Sequence, residues 1–185
     1  MAFLNAIDNS SLWLIQDLFR NGYLDLVMPA ISFLGNKGAL WITICIIMLF
    51  RKSTRMTGVA MAIAMLACYL GGNLFLKNLI ARPRPYTADP SIILLIPPSE
   101  ELYSFPSGHA MNAFSAASVM MIRHHRFCWA AIALASLIAF SRVYLMMHYP
   151  LDVGAGMAIG ILSAVIACRL IKYYEQHQRY RIKSF

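Results

Sequence analysis

The chain has 185 residues, of which 59% are hydrophobic and 13% charged, and its mean hydropathy is +0.60. These values exclude an ordinary soluble domain and indicate an integral membrane protein. The 16 Lys and Arg against 8 Asp and Glu give a formal net charge of +8, and we expect this basic chain to have the bilayer, not nucleic acid, as its partner.

The N-terminal stretch, residues 1–20, mixes apolar and polar side chains. Between Phe3 and Phe19, leucines and isoleucines alternate with Asp8, Gln16 and Asp17. This pattern predicts an amphipathic helix that lies at the membrane surface.

Two apolar segments follow, Tyr23–Leu34 and Leu40–Phe50, separated by a sequence with two glycines, Gly35-Asn36-Lys37-Gly38. The glycines indicate a turn. Each segment is shorter than the roughly 20 residues that a span needs, so two spans require residues borrowed from the flanks. We interpret the pair as two spans, and a single long span is the alternative.

The remaining apolar segments predict four further spans. The clearest is Thr57–Leu76, which carries no charge and ends at Lys77, and the proline-rich sequence after it cannot continue as a regular helix. The other three are Ala110–Ile122, Phe127–Met147 and Pro150–Ile171. We therefore predict an all-α membrane bundle of about six spans, forming one domain over residues 1–185.

The four cysteines all lie inside apolar segments, without paired spacing: Cys45, Cys68, Cys128 and Cys168. Free cysteine packs as a small hydrophobic residue. We expect four buried thiols.

Basic residues cluster in alternate connections and at the C-terminus. The clusters are Arg51, Lys52 and Arg55; Arg123 and Arg126; and Arg169, Lys172, Arg179, Arg181 and Lys183. If the spans alternate, all three clusters face one side, which the positive-inside rule makes the cytoplasm. The sequence thus predicts a multi-pass plasma-membrane protein with a cytoplasmic C-terminus, and places Arg84, His109 and His148 on the extracytoplasmic face.

The stretch Pro106-Ser107-Gly108-His109 has the features of an anion-binding turn. Pro106 ends the preceding loop, Ser107 is able to cap a helix, and Gly108 lets the backbone approach a ligand. His109 adds a group that transfers a proton near neutral pH. Together these features suit a phosphate ester.

Other polar residues share the predicted outer face: Lys77, Arg82, Arg84, Arg142, His148 and Asp152. Taken alone, each cation is explained as a side chain at a helix end that extends its charge to water, and each histidine as a structural residue. Their convergence from separate helices favours a functional site. Asp152 lies four residues after His148, within reach of its imidazole, although an acid in a first helical turn also has a purely structural explanation.

These residues carry a resemblance to a known family. Lys77 to Pro85, Pro106 to His109, and Ser141 to Asp152 match the motifs K-x6-R-P, P-S-G-H and S-R-x5-H-x3-D. The chain thereby resembles the type 2 phosphatidate phosphatase and vanadium haloperoxidase superfamily over residues 77–152, and its layout is similar to that of the membrane lipid phosphatase branch.

The resemblance implies a role for each motif residue. Lys77, Arg84 and Arg142, with Ser107 and the Gly108 amide, would bind the phosphate oxygens. His148 would be the nucleophile that forms a phosphohistidine, oriented by Asp152, and His109 would protonate the leaving oxygen. Ser141 and Pro106 would support the site, and Arg82, outside the motifs, is a weak candidate for a further headgroup contact.

Metal-independent catalysis is expected, since three cations and a helix N-terminus supply fixed positive charge. Besides Asp152, the outer loops offer only Asp89, Glu100 and Glu101, which are too scattered for a two-metal site. We expect no cofactor.

The resemblance favours a lipid phosphate or diphosphate phosphatase acting on undecaprenyl diphosphate, with phosphatidylglycerophosphate or phosphatidate as the alternative. A lipid phosphotransferase stays open, and a vanadium haloperoxidase or a non-enzymatic lipid transporter is more remote.

Overall fold

The computed structural model describes residues 2–183, and within them the side chains of residues 7–178. This part of the chain is built from helices and loops, and the all-α prediction is confirmed. The helices are α1 (Ala2–Phe19), α2 (Gly22–Leu34), α3 (Ala39–Phe50), α4 (Arg55–Ala67), α5 (Lys77–Ile80), α6 (Pro85–Ala88), α7 (Gly108–Ile122), α8 (Cys128–Tyr144) and α9 (Pro150–Lys183).

Helix α1 buries a polar stripe and exposes an apolar one. Asp8, Leu12 and Gln16, spaced four residues apart, are 5% exposed or less, whereas Leu14 and Leu18 are more than half exposed. Residues four apart share one helix face, so the amphipathic helix predicted at the N-terminus forms, with buried polar groups facing the bundle.

The segment between α2 and α3 is a kink. A short 3-10 turn, Asn36–Gly38, joins the two helices, and their axes differ by 41°. Lys37 and Gly38 adopt positive φ angles of 51° and 68°, which redirect the chain without reversing it. By length and composition, the two helices taken together qualify as a broken span or a re-entrant loop, and the number of spans that they form stays a prediction.

Helices α4 and α5 belong to one continuous helical segment, Arg55–Ile80, whose middle part, Cys68–Leu76, is π-helical. The prediction that this span ends at Lys77 is wrong, because the helix continues for another turn. It ends where Ala81 adopts the left-handed conformation, with φ 48°, before Arg82-Pro83. Lys77 therefore lies within a helix and is almost fully buried.

Helix α7 is the centre of the bundle and packs against α4, α8 and α9. Nearly every residue from Ala110 to Met120 is buried. Two glycines of α9 let this helix pack closely against α7. A Cβ at Gly156 would lie 2.7 Å from the Ser107 carbonyl oxygen, and a Cβ at Gly160 would lie 2.6 Å from the Met111 carbonyl oxygen. Small residues at helix contacts are typical of membrane bundles.

The outer surface of the bundle is apolar, with large exposed side chains such as Leu26, Phe50 and Trp129, as expected for a membrane protein. By length and composition, Arg55–Ile80 and Pro150–Gln178 are able to span a bilayer, the bent α2–α3 pair makes a third candidate, and α8 is a shorter apolar helix. The count of six spans stays a prediction. The four cysteines are buried free thiols, as expected.

Basic residues from separate connections meet at one end of the bundle. Arg123 after α7 forms an ion pair with Glu175 of α9, at 2.7 Å, and the charges of Arg51 and Arg126 both act on His125. The side chains of Arg179, Arg181 and Lys183 lie outside the described residues. The motif residues occupy the opposite end.

Candidate active site

The first motif is shaped by the loop after α5. The backbone N–H of Ser104 donates to the Arg82 carbonyl at 2.8 Å, and Pro83 bridges to Tyr103. These contacts fix Arg84 at the N-cap of α6, where it is only 1% exposed. A charge buried this deeply requires partners.

Two backbone carbonyls and an imidazole surround the Arg84 guanidinium. Its Nε donates to the Glu101 carbonyl at 2.8 Å and its Nη1 to the Met147 carbonyl at 3.0 Å. Nη1 also lies 3.3 Å from Nε2 of His148. The guanidinium therefore links the loop before α7 to the loop after α8.

The second motif begins α7. The peptide bond between Phe105 and Pro106 is cis, and the Ser107 N–H donates to the Asp152 carbonyl at 3.0 Å. Ser107 occupies the N-cap position, but its side chain makes no capping hydrogen bond, so the expectation that it caps through its hydroxyl is wrong. The Ser107 Oγ is buried and has no hydrogen-bond partner. A buried hydroxyl in this state is available to a ligand.

The third motif joins α8 to α9. Met146 has a positive φ of 57°, and the N–H groups of Met147 and His148 both donate to the Arg142 carbonyl. The loop thus folds back towards the end of α8 at Arg142, and it contains His148, whose side chain is only 2% exposed. Asp152 lies in the first turn of α9, and its Oδ2 accepts from the Tyr149 N–H at 3.0 Å.

Most of these side chains meet at one cavity of about 510 Å³. Its wall includes Arg84, His109, Arg142 and His148 together with the Gly108 backbone. Lys77 contacts the Glu101 side chain, which also lines the cavity. Ser107, Ser141 and Asp152 are buried behind this wall.

The cations are arranged around a carboxylate. Glu101 Oε2 pairs with Lys77 Nζ and lies 3.4 Å from Arg84 Nη2. Arg142 donates through Nη1 to the Ser32 hydroxyl, and its buried Nε has no hydrogen-bond partner. The cavity wall therefore binds an anionic group of the chain itself.

The protonation of His148 follows from its neighbours. Because a guanidinium only donates, His148 Nε2 accepts from Arg84 and carries a lone pair. His148 lies in the loop outside the helices, where burial, followed by the charge of Arg84, holds the pKa of its imidazole well below the ordinary value. The imidazole is therefore neutral, and its Nε2 lone pair accepts the hydrogen bond from Arg84.

Asp152 stands beyond hydrogen-bonding distance from the imidazole. Its Oδ2 lies 3.8 Å from His148 Nδ1, and Nδ1 has no hydrogen-bond partner. Its Oδ1 instead pairs with Arg82 at 2.7 Å. The expected proximity of the acid to the histidine is present, while the direct hydrogen bond is not formed.

Several cavity residues are absent from the motifs. Asn36 Oδ1 accepts from His109 Nε2 at 3.0 Å, and Ser32 and Glu101 bind cations. Asn36 lies between two glycines in a segment predicted as a simple turn, and its polar side chain there is the sequence signal that points to it. Arg82, considered a weak headgroup candidate, instead binds two buried carboxylates, Asp8 and Asp152.

Among the side chains from residue 7 to 178, no group of three or more His, Cys, Asp or Glu stands in a geometry that could hold a metal ion. The charged groups that line the cavity are mostly cations and histidines, a set that favours phosphate oxygens.

Fold and site together define a helical membrane protein with a cationic pocket that contains two histidines. A family model described as the PAP2 superfamily matches residues 55–176. The chain belongs to this superfamily.

Relatives with known activity extend the comparison. The chain is 32% identical over 123 residues to an undecaprenyl-diphosphatase of Sulfolobus acidocaldarius, a match that covers 65% of this chain and 58% of that protein's length. It is 34% identical over 159 residues to phosphatidylglycerophosphatase B of Bacillus subtilis, covering 78% of this chain and 74% of the relative.

Two crystal structures share the fold. Aquifex aeolicus LpxE superposes with a TM-score of 0.75 at 27% identity, over 88% of this chain and 95% of its own. A transmembrane PAP2 type phosphatidylglycerolphosphate phosphatase from Bacillus subtilis gives 0.72 at 28% identity, over 96% and 88%.

Proposed function

We propose that this protein is a membrane lipid phosphatase that acts through a phosphohistidine at His148. The observation that carries the proposal is the convergence of Arg84, Arg142, His109 and His148 on one cavity. Catalysis of phosphoryl transfer depends mainly on positioning and on fixed positive charge around the transferred group.

The cationic side chains bind the phosphate group. Lys77, Arg84 and Arg142 hold the non-bridging oxygens, and the phosphate takes the place of the Glu101 carboxylate between Lys77 and Arg84. The unpartnered Ser107 hydroxyl and the Gly108 amide at the start of α7 complete the binding site.

The chemistry has two steps. First, His148 Nε2 attacks phosphorus, the bond to the leaving oxygen breaks, and His109 gives that oxygen a proton. Second, the oxygen of a water molecule attacks phosphorus while His109 takes a proton from that water, the bond between phosphorus and His148 Nε2 breaks, and inorganic phosphate leaves. Asp152 balances the positive charge that the His148 ring acquires in the first step.

Two motif residues support this arrangement without contacting the substrate. Ser141 Oγ donates to the Ile138 carbonyl at 2.7 Å and stabilises the end of α8 next to Arg142. Pro106 precedes the anion-binding turn. Residues 1–185 act as one catalytic domain, because the cavity takes residues from α2, the α2–α3 kink, α7 and the loops beside α6, α8 and α9.

The cavity is suited to a lipid. Beside its cations the wall carries apolar side chains of Pro29, Phe33 and Ile96, and Phe33 is 71% exposed on the outer face of α2. A headgroup is therefore able to bind the cations while its tail remains in the bilayer. Because the cavity lies opposite the basic end of the bundle, we assign it to the extracytoplasmic face and the C-terminus to the cytoplasm.

Undecaprenyl diphosphate is the substrate we favour, since an outward-facing cavity suits a carrier lipid released on that side and a relative from Sulfolobus carries this activity in its name. Phosphatidylglycerophosphate is the second candidate, supported by the longer match to the Bacillus enzyme and by the superposition on a phosphatase of that class.

The test is phosphate release by the purified chain in detergent from four lipids: undecaprenyl diphosphate, phosphatidate, phosphatidylglycerophosphate and diacylglycerol pyrophosphate. A soluble ester, p-nitrophenyl phosphate, is assayed in parallel. We expect the highest kcat/KM on undecaprenyl diphosphate. Preference for another lipid would overturn the substrate assignment alone, and preference for the soluble ester over all lipids would overturn the lipid phosphatase.

A further inference from the structure

Arg82 lies between two carboxylates from distant parts of the chain. Its Nη1 is 2.7 Å from Asp152 Oδ1 and its Nη2 is 2.7 Å from Asp8 Oδ2. The guanidinium stacks over the Tyr149 ring with 4.0 Å to the centroid. The guanidinium is thus held by Asp8, Asp152 and the Tyr149 ring.

Asp8 connects this cluster to the N-terminal helix. The residue belongs to α1 and is 1% exposed. Its Oδ1 accepts from the Leu151 N–H at 3.0 Å, so it also binds the first turn of α9, where Asp152 lies. A helix that sequence patterns assign to the membrane surface therefore contacts the helical turn that contains Asp152.

The charges of the cluster bear on the reaction. Asp8, Arg82 and Asp152 together carry a formal charge of −1, adjacent to the His148 ring that becomes cationic on phosphorylation. Without the charge of Asp8, Arg82 would neutralise Asp152 completely and leave no net negative charge to stabilise that ring. At short range in a buried site, such a difference has a large electrostatic effect.

Resting on the function proposed above, we propose that Asp8 and Arg82 are positioning residues for the Asp152–His148 pair, and that α1 is part of the catalytic unit. Arg82 fixes the Asp152 carboxylate, and Asp8 balances Arg82 so that Asp152 keeps its charge available to His148. Neither residue contacts the substrate.

Asp8→Asn tests this inference in the full-length protein, because asparagine keeps the size of the side chain and can still accept from Leu151. The matched control is Asp17→Asn, on the same helix but exposed. We expect kcat on a lipid phosphate to fall about tenfold in Asp8→Asn, which is a usual effect for a residue that acts by orienting another residue. KM should be unchanged. Asp17→Asn should have the wild-type kcat and KM.

A double-mutant cycle separates positioning from simple destabilisation. In an Asp152→Asn background, Asp8→Asn should have little further effect on kcat, because the charge that it serves is already absent. A destabilised bundle would lose the same factor in both backgrounds. Asp8→Glu, which keeps the charge, should recover most of the rate and provides a second variant if Asp8→Asn folds poorly.

Wild type and His148→Ala are measured alongside. If wild type releases phosphate and Asp8→Asn equals Asp17→Asn in kcat, the inference is wrong while the phosphatase stands. The inference is also wrong if the free-energy effects of Asp8→Asn and Asp152→Asn on kcat simply add in the double mutant. Absence of lipid phosphate release by wild type refutes both the proposed function and the inference.

Discussion

Asn36 Oδ1 lies 3.0 Å from His109 Nε2 and connects the kink between α2 and α3 to the first turn of α7. Since an amide oxygen only accepts, the His109 ring must donate through Nε2. Nδ1 is then the nitrogen left for the leaving oxygen.

Asn36→Ala should therefore weaken the acid step. We expect a loss of about tenfold in kcat on a lipid phosphate, within the usual contribution of general acid catalysis, and a smaller loss on p-nitrophenyl phosphate, whose leaving group needs little protonation. Asn36→Asp retains the acceptor and should keep most of the activity. Equal losses on both substrates would mean that Asn36 shapes the cavity without acting through His109.

In the proposed mechanism, Glu101 competes with phosphate for Lys77 and Arg84. The Glu101→Gln substitution removes the charge, so inorganic phosphate should inhibit this variant about three- to tenfold more strongly than wild type. The effect is expected to be modest because the Glu101 side chain is half exposed and solvent weakens its ion pairs. Glu100→Gln is the matched control, because Glu100 also lines the cavity. Weaker inhibition of Glu101→Gln would show that Glu101 organises the cations for phosphate.

The pH dependence of kcat/KM reports the free enzyme. Burial and Arg84 lower the pKa of the His148 imidazole below its ordinary value of about 6.5. The neutral nucleophile therefore persists as pH falls through 6.5, and the acid limb of the profile should lie below that value. Since His109 must be protonated at the same time, the profile should be bell-shaped. A flat profile between acidic and alkaline pH contradicts these roles.

Packing of α7 against α9 is testable by paired glycine substitutions. Gly156→Ala places a Cβ 2.7 Å from the Ser107 carbonyl oxygen, whereas Gly154 has open space around it. We expect Gly156→Ala to destabilise the bundle by about 1–3 kcal/mol, the usual range for overpacking, and to reduce activity by shifting the start of α7. Thermal unfolding in detergent should show no such loss for Gly154→Ala; similar midpoints for both variants would contradict the close approach.

Composition and hydrophobic pattern were sufficient to predict an all-helical membrane protein, and the three motifs were sufficient to select Arg84, His109, Arg142 and His148 on the cavity wall. Motifs specify which residue types bind phosphate, and these positions lie on loops and helix ends that prolines and glycines delimit. This is why Arg84, His109 and His148 were identifiable from the sequence.

Contacts between distant parts of the chain were not identifiable. The pairing of Arg82 with Asp8 joins residues 74 positions apart, and no local pattern encodes it. The role of Asn36 was not predicted, because a sequence with two glycines is compatible with a turn or with a kink. Only the packing of this segment against α7 decides between the two. The extension of the helix through Lys77 to Ile80 reflects the same limit, because Lys77 is buried in its last turn and pairs with the distant Glu101.

The most direct test is phosphate release from undecaprenyl diphosphate and phosphatidylglycerophosphate in detergent containing a chelator, for wild type and His148→Ala. His177→Ala, at the far end of α9, is the matched control. We expect wild type and His177→Ala to release phosphate from at least one of the two lipids at rates that the chelator leaves unchanged, and His148→Ala to fall to background. Release by His148→Ala at a substantial fraction of the wild-type rate would contradict the phosphohistidine mechanism.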